Sequence, residues 1–254
     1  MGRSAYRRVH LHPRERPGGV RPDRTAPPPY VQRVPQRLPL FPLGLVLFPG
    51  LVLPLHVFEE RYRVLVNELM ELPEQERRFG VVAIRQGREV GGGGITGLHK
   101  IGCVAHLRHV QPHEDGRFDI VTLGVERFTL EEIDTSRPYL TGQVNLLPDE
   151  PGEDAVVLAA AVRSGFMDYV AALGEAGGDI IDLPELPEDP QVLSYLVAAT
   201  VVVDLDDRQR LLAEVDASAR LRAEMALLRR ESTLLRTLAA APAPDLARQP
   251  VNLN

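Results

Sequence analysis

Four prolines interrupt an apolar run in the segment LPLFPLGLVLFPGLVLPLHVFEERYRVL, residues 38–65. They are Pro39, Pro42, Pro49 and Pro54. Because proline has no N–H group to donate to a sheet ladder, strands that contain it should be short or lie at a sheet edge. Pro49 followed by glycine is typical of a turn. The segment is therefore predicted to form a strand, a turn and a second strand that leads into a charged helix.

A helix and then a series of short strands are predicted from the residues that follow. Residues 58–72 have apolar side chains at the spacing of an amphipathic helix, which Pro73 ends. The β-rich runs lie at 79–85, 101–110, 118–130 and 138–147. Asp115 and Gly116 suit a tight hairpin turn between two of these runs. Six or so strands with one early helix predict a small closed barrel.

The pattern changes to helix from about residue 152. Predicted helices cover residues 155–173, 190–203 and 218–238, with a short helix after a capping box formed by Asp206 and Gln209. Asp189 is expected to cap the helix that begins at Pro190. The strand-rich and helix-rich halves together predict an α+β chain.

Four regions are expected from these patterns. Residues 1–37 form a disordered Arg/Pro-rich tail, 38–150 a β-barrel, 151–238 an α-helical bundle and 239–254 a flexible tail. The first region admits three explanations: a basic tail that contacts acidic partners, a flexible tether, or translation from a start codon upstream of the true one.

Charge and cysteine content restrict the partners and the compartment. Nine arginines against two acidic residues give residues 1–37 a charge of +7, and the whole chain carries −6, which leaves −13 for residues 38–254. An acidic body repels nucleic acid phosphates. Cys103 is the only cysteine, which excludes an internal disulfide and fits a reducing cytoplasm. The sequence predicts no secretory signal and no membrane segment.

Several blocks, in this order, resemble the N-terminal substrate-binding domain of the Lon protease family. They are PLFPL, LFPG, LPLHVFEERYRVLV, RFGVVAI, HKIGCVAHL, DGRFDIVTLGVERF, RPYLTGQV and DPQVLSYLVAATVVVDLDDRQRLLAEVD. The resemblance spans roughly residues 38–238. It implies a PUA-like six-stranded β-barrel with one early helix, followed by a C-terminal α-helical bundle. It also implies a module that captures unfolded or tagged substrates.

The catalytic motifs of that family are not found in this sequence. A Walker A loop needs a Gly-Lys-Ser/Thr sequence, but the sole lysine, Lys100, lies between His99 and Ile101. A Ser–Lys peptidase dyad also needs a lysine, and only Lys100 is present. We therefore predict a stand-alone, non-catalytic module without ATPase or protease activity.

Other suggestive residues favour structural roles. Cys103, His106, His109 and His113 have a spacing that suggests zinc, but residues three apart on a strand face opposite sides. The glycines at 91–94 lack the frame of a phosphate-binding loop. Arg127 is expected to pair with a carboxylate on the barrel surface, and Phe128 to pack inside. No metal, cofactor or catalytic residue is predicted.

The predicted contact surface for polypeptides comprises His56, Glu60, Arg61 and Arg63, on the exposed face of the early helix beside the proline-rich strands. The expected function is recognition of unfolded or exposed polypeptide segments by a cytoplasmic adaptor or holdase, with a separate ATP-dependent protease as a partner. The alternatives are an RNA-binding PUA-like protein and a small-molecule-binding sensor. The sequence leaves open whether the chain is a monomer or a homodimer.

Overall fold

Six strands precede four of the five helices in the computed structural model, which describes residues 35–85, 97–177 and 185–240. The strands are β1 (Gln36–Leu43), β2 (Val52–Val57), β3 (Arg78–Ala83), β4 (Ile101–Pro112), β5 (Phe118–Asp134) and β6 (Thr141–Leu146). The helices are α1 (Glu60–Met70), α2 (Ala155–Glu175), α3 (Pro190–Thr200), α4 (Leu205–Ala213) and α5 (Ala217–Ala240). This mixed architecture confirms the predicted order of strands, early helix and later helices.

Both β1 and β2 contain proline, and for such strands the sequence predicts a short strand or an edge position. β2, which contains Pro54, lies at the end of the strand order β2-β5-β4-β3-β1-β6. β1 lies between β3 and β6, although it contains two prolines. The reason is that β1 changes partners halfway: residues 36–39 pair with β6, and residues 40–43 pair in parallel with β3. Each half therefore has a ladder on one side only, which tolerates a missing N–H group.

The long strand β5 connects most of the sheet. Residues 118–123 pair with β2, residues 118–129 with β4, and residues 128–134 with β6. The strand pairings run from β5 through β4, β3 and β1 to β6. Because β6 also pairs with β5, they return to β5. Irregularities in register occur between Val104 and Ala105 and between Leu130 and Glu132. Such bulges bend a strand and increase its twist, which lets one strand serve several partners.

Both faces of the sheet are buried. On one face, α1 packs through Tyr62, Leu65 and Leu69 against residues such as Phe41 and Phe79. On the other, Phe128 is fully buried among Leu40, Val82, Val104 and Val144. The Phe128 ring fills the space over Gly80 and Gly102, where any Cβ atom would collide with it. The prediction that Phe128 packs inside is confirmed.

Two helix starts show how closely local signals predict boundaries. Asp189 accepts hydrogen bonds from the backbone N–H groups of Gln191 and Val192, at 2.9 and 3.0 Å, and Pro190 follows it, as predicted. The predicted capping box at Asp206 is wrong by two residues. Asp204 caps α4 by accepting from the N–H group of Asp207 at 2.8 Å, and Gln209 instead donates to the carbonyl of Ile101 at 2.9 Å.

Arg127 does not lie on the surface, contrary to the sequence-based prediction. Its side chain is 2% exposed and donates to the carbonyl of Leu212 at 2.9 Å, to that of Pro148 at 3.2 Å and to that of Glu214. Its nearest carboxylate is that of Asp149, at 3.6 Å. Because the α4–α5 connection presents several carbonyl oxygens at one place, a buried guanidinium can be satisfied without a close carboxylate.

A second buried arginine lies among the helices. Arg220 of α5 donates to the Ser194 hydroxyl at 2.9 Å and to the Tyr195 hydroxyl at 3.1 Å, and its guanidinium lies 3.9 Å from the centre of the Tyr195 ring. Glu224, one turn later, is fully buried, and neither of its carboxyl oxygens has a hydrogen-bond partner. Burial raises the pKa of Glu224 well above its usual value.

α2 is long and apolar enough, by length and composition alone, to cross a membrane, although core helices of soluble proteins pass the same test. Its buried residues, which include Val162, Phe166 and Tyr169, belong to the same core cluster as residues of α3 and α5. The predictions for residues 1–34, for the glycines at 91–94 and for residues 241–254 lie outside the described residues.

Candidate functional site

The predicted contact residues lie where β2 ends and α1 begins. Alternation along β2 buries Val57 and exposes His56, as expected for a strand with one covered face. Phe58 follows and is 62% exposed. Glu59 then has extended backbone geometry and precedes the first helical residue, Glu60. The change from strand to helix therefore occurs within three residues and leaves an aromatic ring on the surface.

His56 belongs to a cluster that also contains Asp119 and His113, named here the His–Asp cluster. His56 Nδ1 lies 2.6 Å from Asp119 Oδ1, and His113 Nε2 lies 2.7 Å from Asp119 Oδ2. The three side chains are about half exposed. Hydrogen bonds from His56 and His113 lower the pKa of the Asp119 carboxyl, which favours its ionised form.

The β4–β5 turn positions His113 and also receives Arg63. Gly116 has a φ of +80°, which favours glycine, and its N–H group donates to the carbonyl of His113 at 3.0 Å. Arg63 from α1 lies directly against Gly116, where a Cβ atom would collide with Arg63 Nη2. The predicted hairpin turn is thus confirmed, and it links the start of α1 to the His–Asp cluster.

Arg61 and Glu60 occupy the first turn of α1. Arg61 pairs with Glu59, whose carboxylate lies 2.7 Å from Arg61 Nη2, and its guanidinium lies 4.6 Å from the centre of the Tyr62 ring. Glu60 is exposed. Glu59 is therefore the ion-pair partner of Arg61.

The spacing that suggests zinc at Cys103, His106, His109 and His113 does not come together as one site. Cys103 is fully buried, and burial raises the pKa of its thiol. His106 Nε2 instead lies 2.8 Å from the carbonyl oxygen of Glu74. Only His113 of this series joins a cluster, and its partners come from β2 and β5. Asp119 was missed because a strand pairing, not sequence spacing, brings it to His56.

A groove of about 850 Å³ lies at the other end of α1. Leu65 and Leu69 of α1, together with Leu72 just after the helix, form one wall, and Pro39 and Tyr139 lie on the sheet side. Charged residues surround it, with Arg137 bound to Glu68 at 2.7 Å. The α1 region therefore has a polar surface at its first turn and a partly apolar groove at its last.

Comparison with protein families and with other sequences gives the same family in both cases. The family model described as ATP-dependent protease La (LON) substrate-binding domain matches residues 37–230. A Lon protease 2 of Myxococcus xanthus is 28% identical over 85% of this chain and 26% of its own length. A Lon protease of Anaeromyxobacter dehalogenans is 28% identical over 80% of this chain and 24% of its own length. The chain thus spans about a quarter of the length of these relatives.

Solved structures share the fold. A Lon N-terminal domain protein from Xanthomonas campestris aligns with a TM-score of 0.52 at 23% identity and covers 75% of this chain and 98% of its own. The N-terminal domain of a Lon protease from the Mycobacterium avium complex aligns with a TM-score of 0.57 at 18% identity, over 76% of this chain and 98% of its own.

Proposed function

The chain belongs to the family of Lon substrate-binding domains, and from this premise we propose that it binds polypeptide segments non-covalently. The observation that carries the proposal is the family match, which extends over residues 37–230 and so includes every residue of the predicted contact surface. The binding surface is formed by the end of β2 and the start of α1. It includes His56, Glu60, Arg61 and Arg63.

Exposed apolar side chains beside charged ones support this location. Val52 and Phe58 are 63% and 62% exposed, at the two ends of β2. Among the described residues β2 pairs only with β5, so one of its edges lacks a ladder partner. An extended segment of a bound polypeptide can form main-chain hydrogen bonds with this edge and can pack apolar side chains against Phe58. Pro54 restricts that pairing to part of the strand.

The finer features of the prediction are part of the same proposal. The circuit of strand pairings forms a closed PUA-like barrel within residues 38–150, and residues 151–238 form a helical bundle. The module acts in the cytoplasm without catalytic activity of its own. As an adaptor or holdase it retains unfolded segments, which a separate ATP-dependent protease then receives.

A binding assay with a permanently unfolded polypeptide tests the proposal. We expect fluorescently labelled, reduced and carboxymethylated α-lactalbumin to bind the full chain at micromolar concentration, read by fluorescence anisotropy. Phe58→Ser removes the exposed ring and should weaken binding at least about fivefold, a loss of about 1 kcal/mol. Val156→Ser removes a side chain that is 75% exposed on α2 and serves as the matched control.

Each result bears on a different part of the proposal. Absence of binding at micromolar concentration contradicts polypeptide recognition. Equal affinity of the wild type and Phe58→Ser, with weaker binding by Val156→Ser, contradicts the location at β2 and α1. Circular dichroism of both variants confirms that each retains the fold.

A further inference from the structure

We propose that the His–Asp cluster, His56, His113 and Asp119, binds a divalent transition-metal ion such as Zn²⁺ or Co²⁺. Three chain segments supply the ligands: the end of β2, the β4–β5 turn and the start of β5. His56 also belongs to the proposed polypeptide-binding surface, but the metal proposal rests on different evidence, namely the placement of these three side chains.

Strand register places the three side chains on one face. His56 and Asp119 are directly opposite each other in the β2–β5 ladder, so their side chains project to the same side. On the other flank of β5, Gln111 of β4 is opposite Asp119. His113 follows Gln111 by two residues and returns to the same face. Asp119 therefore lies between His56 of β2 and His113 of the β4–β5 turn.

The distances between the potential ligand atoms need only a small adjustment to surround an ion. One potential ligand atom from each residue lies within 4.8 Å of the other two. A tetrahedral zinc ion with bonds of about 2.0–2.1 Å holds its ligand atoms roughly 3.3 Å apart. Since all three side chains are exposed by 39–52%, rotation about their side-chain bonds can adjust the atoms to that spacing.

The chemistry of the ligands selects the class of metal. Two imidazoles and one carboxylate suit zinc, cobalt, nickel and copper better than calcium or magnesium, which prefer oxygen ligands. Three protein ligands leave further coordination positions to water, so the site is open to solvent.

Two arginines lie near the cluster and limit its affinity. Arg117 Nη1 is 3.4 Å from His56 Nε2, but Arg117 is also bound to Asp115 at 2.6 Å, which offsets its charge. When His56 Nδ1 binds a metal, the proton resides on Nε2 and this contact with Arg117 opens. Arg63 contacts the turn at Gly116. These positive charges predict a moderate affinity rather than that of a closed structural zinc site.

The test is a titration of the full chain, without an oligohistidine tag, with Co²⁺ and with Zn²⁺. We expect visible Co²⁺ absorption bands that saturate at one ion per chain, and competition by Zn²⁺ read by calorimetry. His56→Ala and His113→Ala should each weaken binding at least about tenfold, since each removes a ligand. His109→Ala removes an exposed histidine of β4 outside the cluster and should leave the affinity unchanged.

A second measurement uses the wild type alone and so does not depend on the folding of variants. In NMR spectra, Co²⁺ should broaden or shift the imidazole signals of His56 and His113 at concentrations that leave His109 unaffected. Failure of the wild type to bind, or equal binding by wild type, His56→Ala and His113→Ala, overturns the proposal.

Discussion

Glu224 is an acidic residue held in an environment that disfavours its charge. It is fully buried, and the charge of nearby Arg220 compensates for only part of the loss of water. Burial therefore raises its pKa in the folded chain, whereas the unfolded chain has the ordinary value near 4.5. The folded state binds a proton on Glu224 over a pH range where the unfolded state has released it.

The consequence is a pH-dependent stability that Glu224→Gln should remove. Because the folded state holds the extra proton, the contribution of Glu224 is fully present below about pH 4.5 and is lost as pH rises towards the folded-state pKa. The slope is at most about 1.4 kcal/mol per pH unit. Urea unfolding between about pH 5 and 8 should show a smaller decline in stability for Glu224→Gln than for the wild type. Parallel curves for the two proteins would contradict the assignment.

Single residues were predicted best where local chemistry decides their role. Asp189 and Gly116 have backbone roles that adjacent residues specify, and both predictions are confirmed. The surface location predicted for Arg127 is wrong because its carbonyl partners, such as that of Leu212, lie about 85 residues away in sequence. Asp119 of the His–Asp cluster was missed for the same reason, since only the β2–β5 register brings it to His56.

At the scale of elements, Arg127 joins the sheet to the connection between α4 and α5. It belongs to β5, and its guanidinium donates to the carbonyls of Leu212, Glu214 and Pro148. Hydrogen bonds from a charged donor contribute more than neutral ones, and carbonyls that lose a buried donor remain unsatisfied. One side chain of β5 therefore joins this strand to the residues after β6 and to the α4–α5 connection.

Arg127→Met should lower the free energy of unfolding by roughly 2–4 kcal/mol, because the carbonyls lose their donor while the side-chain volume changes little. Arg137→Met is the matched control: Arg137 is 53% exposed and pairs with Glu68 at 2.7 Å. Its loss should lower the free energy of unfolding much less than the loss of Arg127, because exposed ion pairs contribute little. Chemical denaturation of both variants gives the comparison, and a similar loss for both would contradict the buried role of Arg127.

The helices and strands were predictable from apolar periodicity and from the positions of prolines and glycines, but the pairing between strands was not. The predicted ranges overlap every described strand and helix, including α4, because apolar spacing, prolines and glycines mark them locally. The prediction of a short strand or an edge position did not specify that β1 lies between β3 and β6, with a ladder on one side of each of its halves. Partner choice along a strand depends on distant segments, and no local signal encodes it.

At the scale of the whole molecule, one core cluster joins the two halves of the described chain. It contains Val46, Phe48 and Ala83 from the strand-rich half and Phe166, Leu193 and Leu221 from the helices. Phe48 is buried and its ring centre lies 6.2 Å from that of Tyr195. The sheet and the helices are therefore expected to unfold together.

Phe48→Ala should destabilise both halves by about 3–5 kcal/mol, because it leaves a cavity where they meet. Hydrogen exchange read by mass spectrometry should show faster exchange in β3 and β4 and also in α3 and α5. Phe58→Ala, at an exposed ring, is the matched control and should change exchange little. Faster exchange confined to the strands in Phe48→Ala would instead indicate that the halves unfold independently.

The divided pairing of β1 also has a consequence for synthesis on the ribosome. Its second half pairs with β3, about 40 residues later, but its first half needs β6, where Gln36 pairs with Val144. At about 5–20 residues per second, translation produces β6 roughly 5–20 s after β1. During that interval residues 36–39 of the nascent chain have no sheet partner. We therefore expect the first strand to be completed last, and this short segment to be the part of the nascent sheet most open to chaperones.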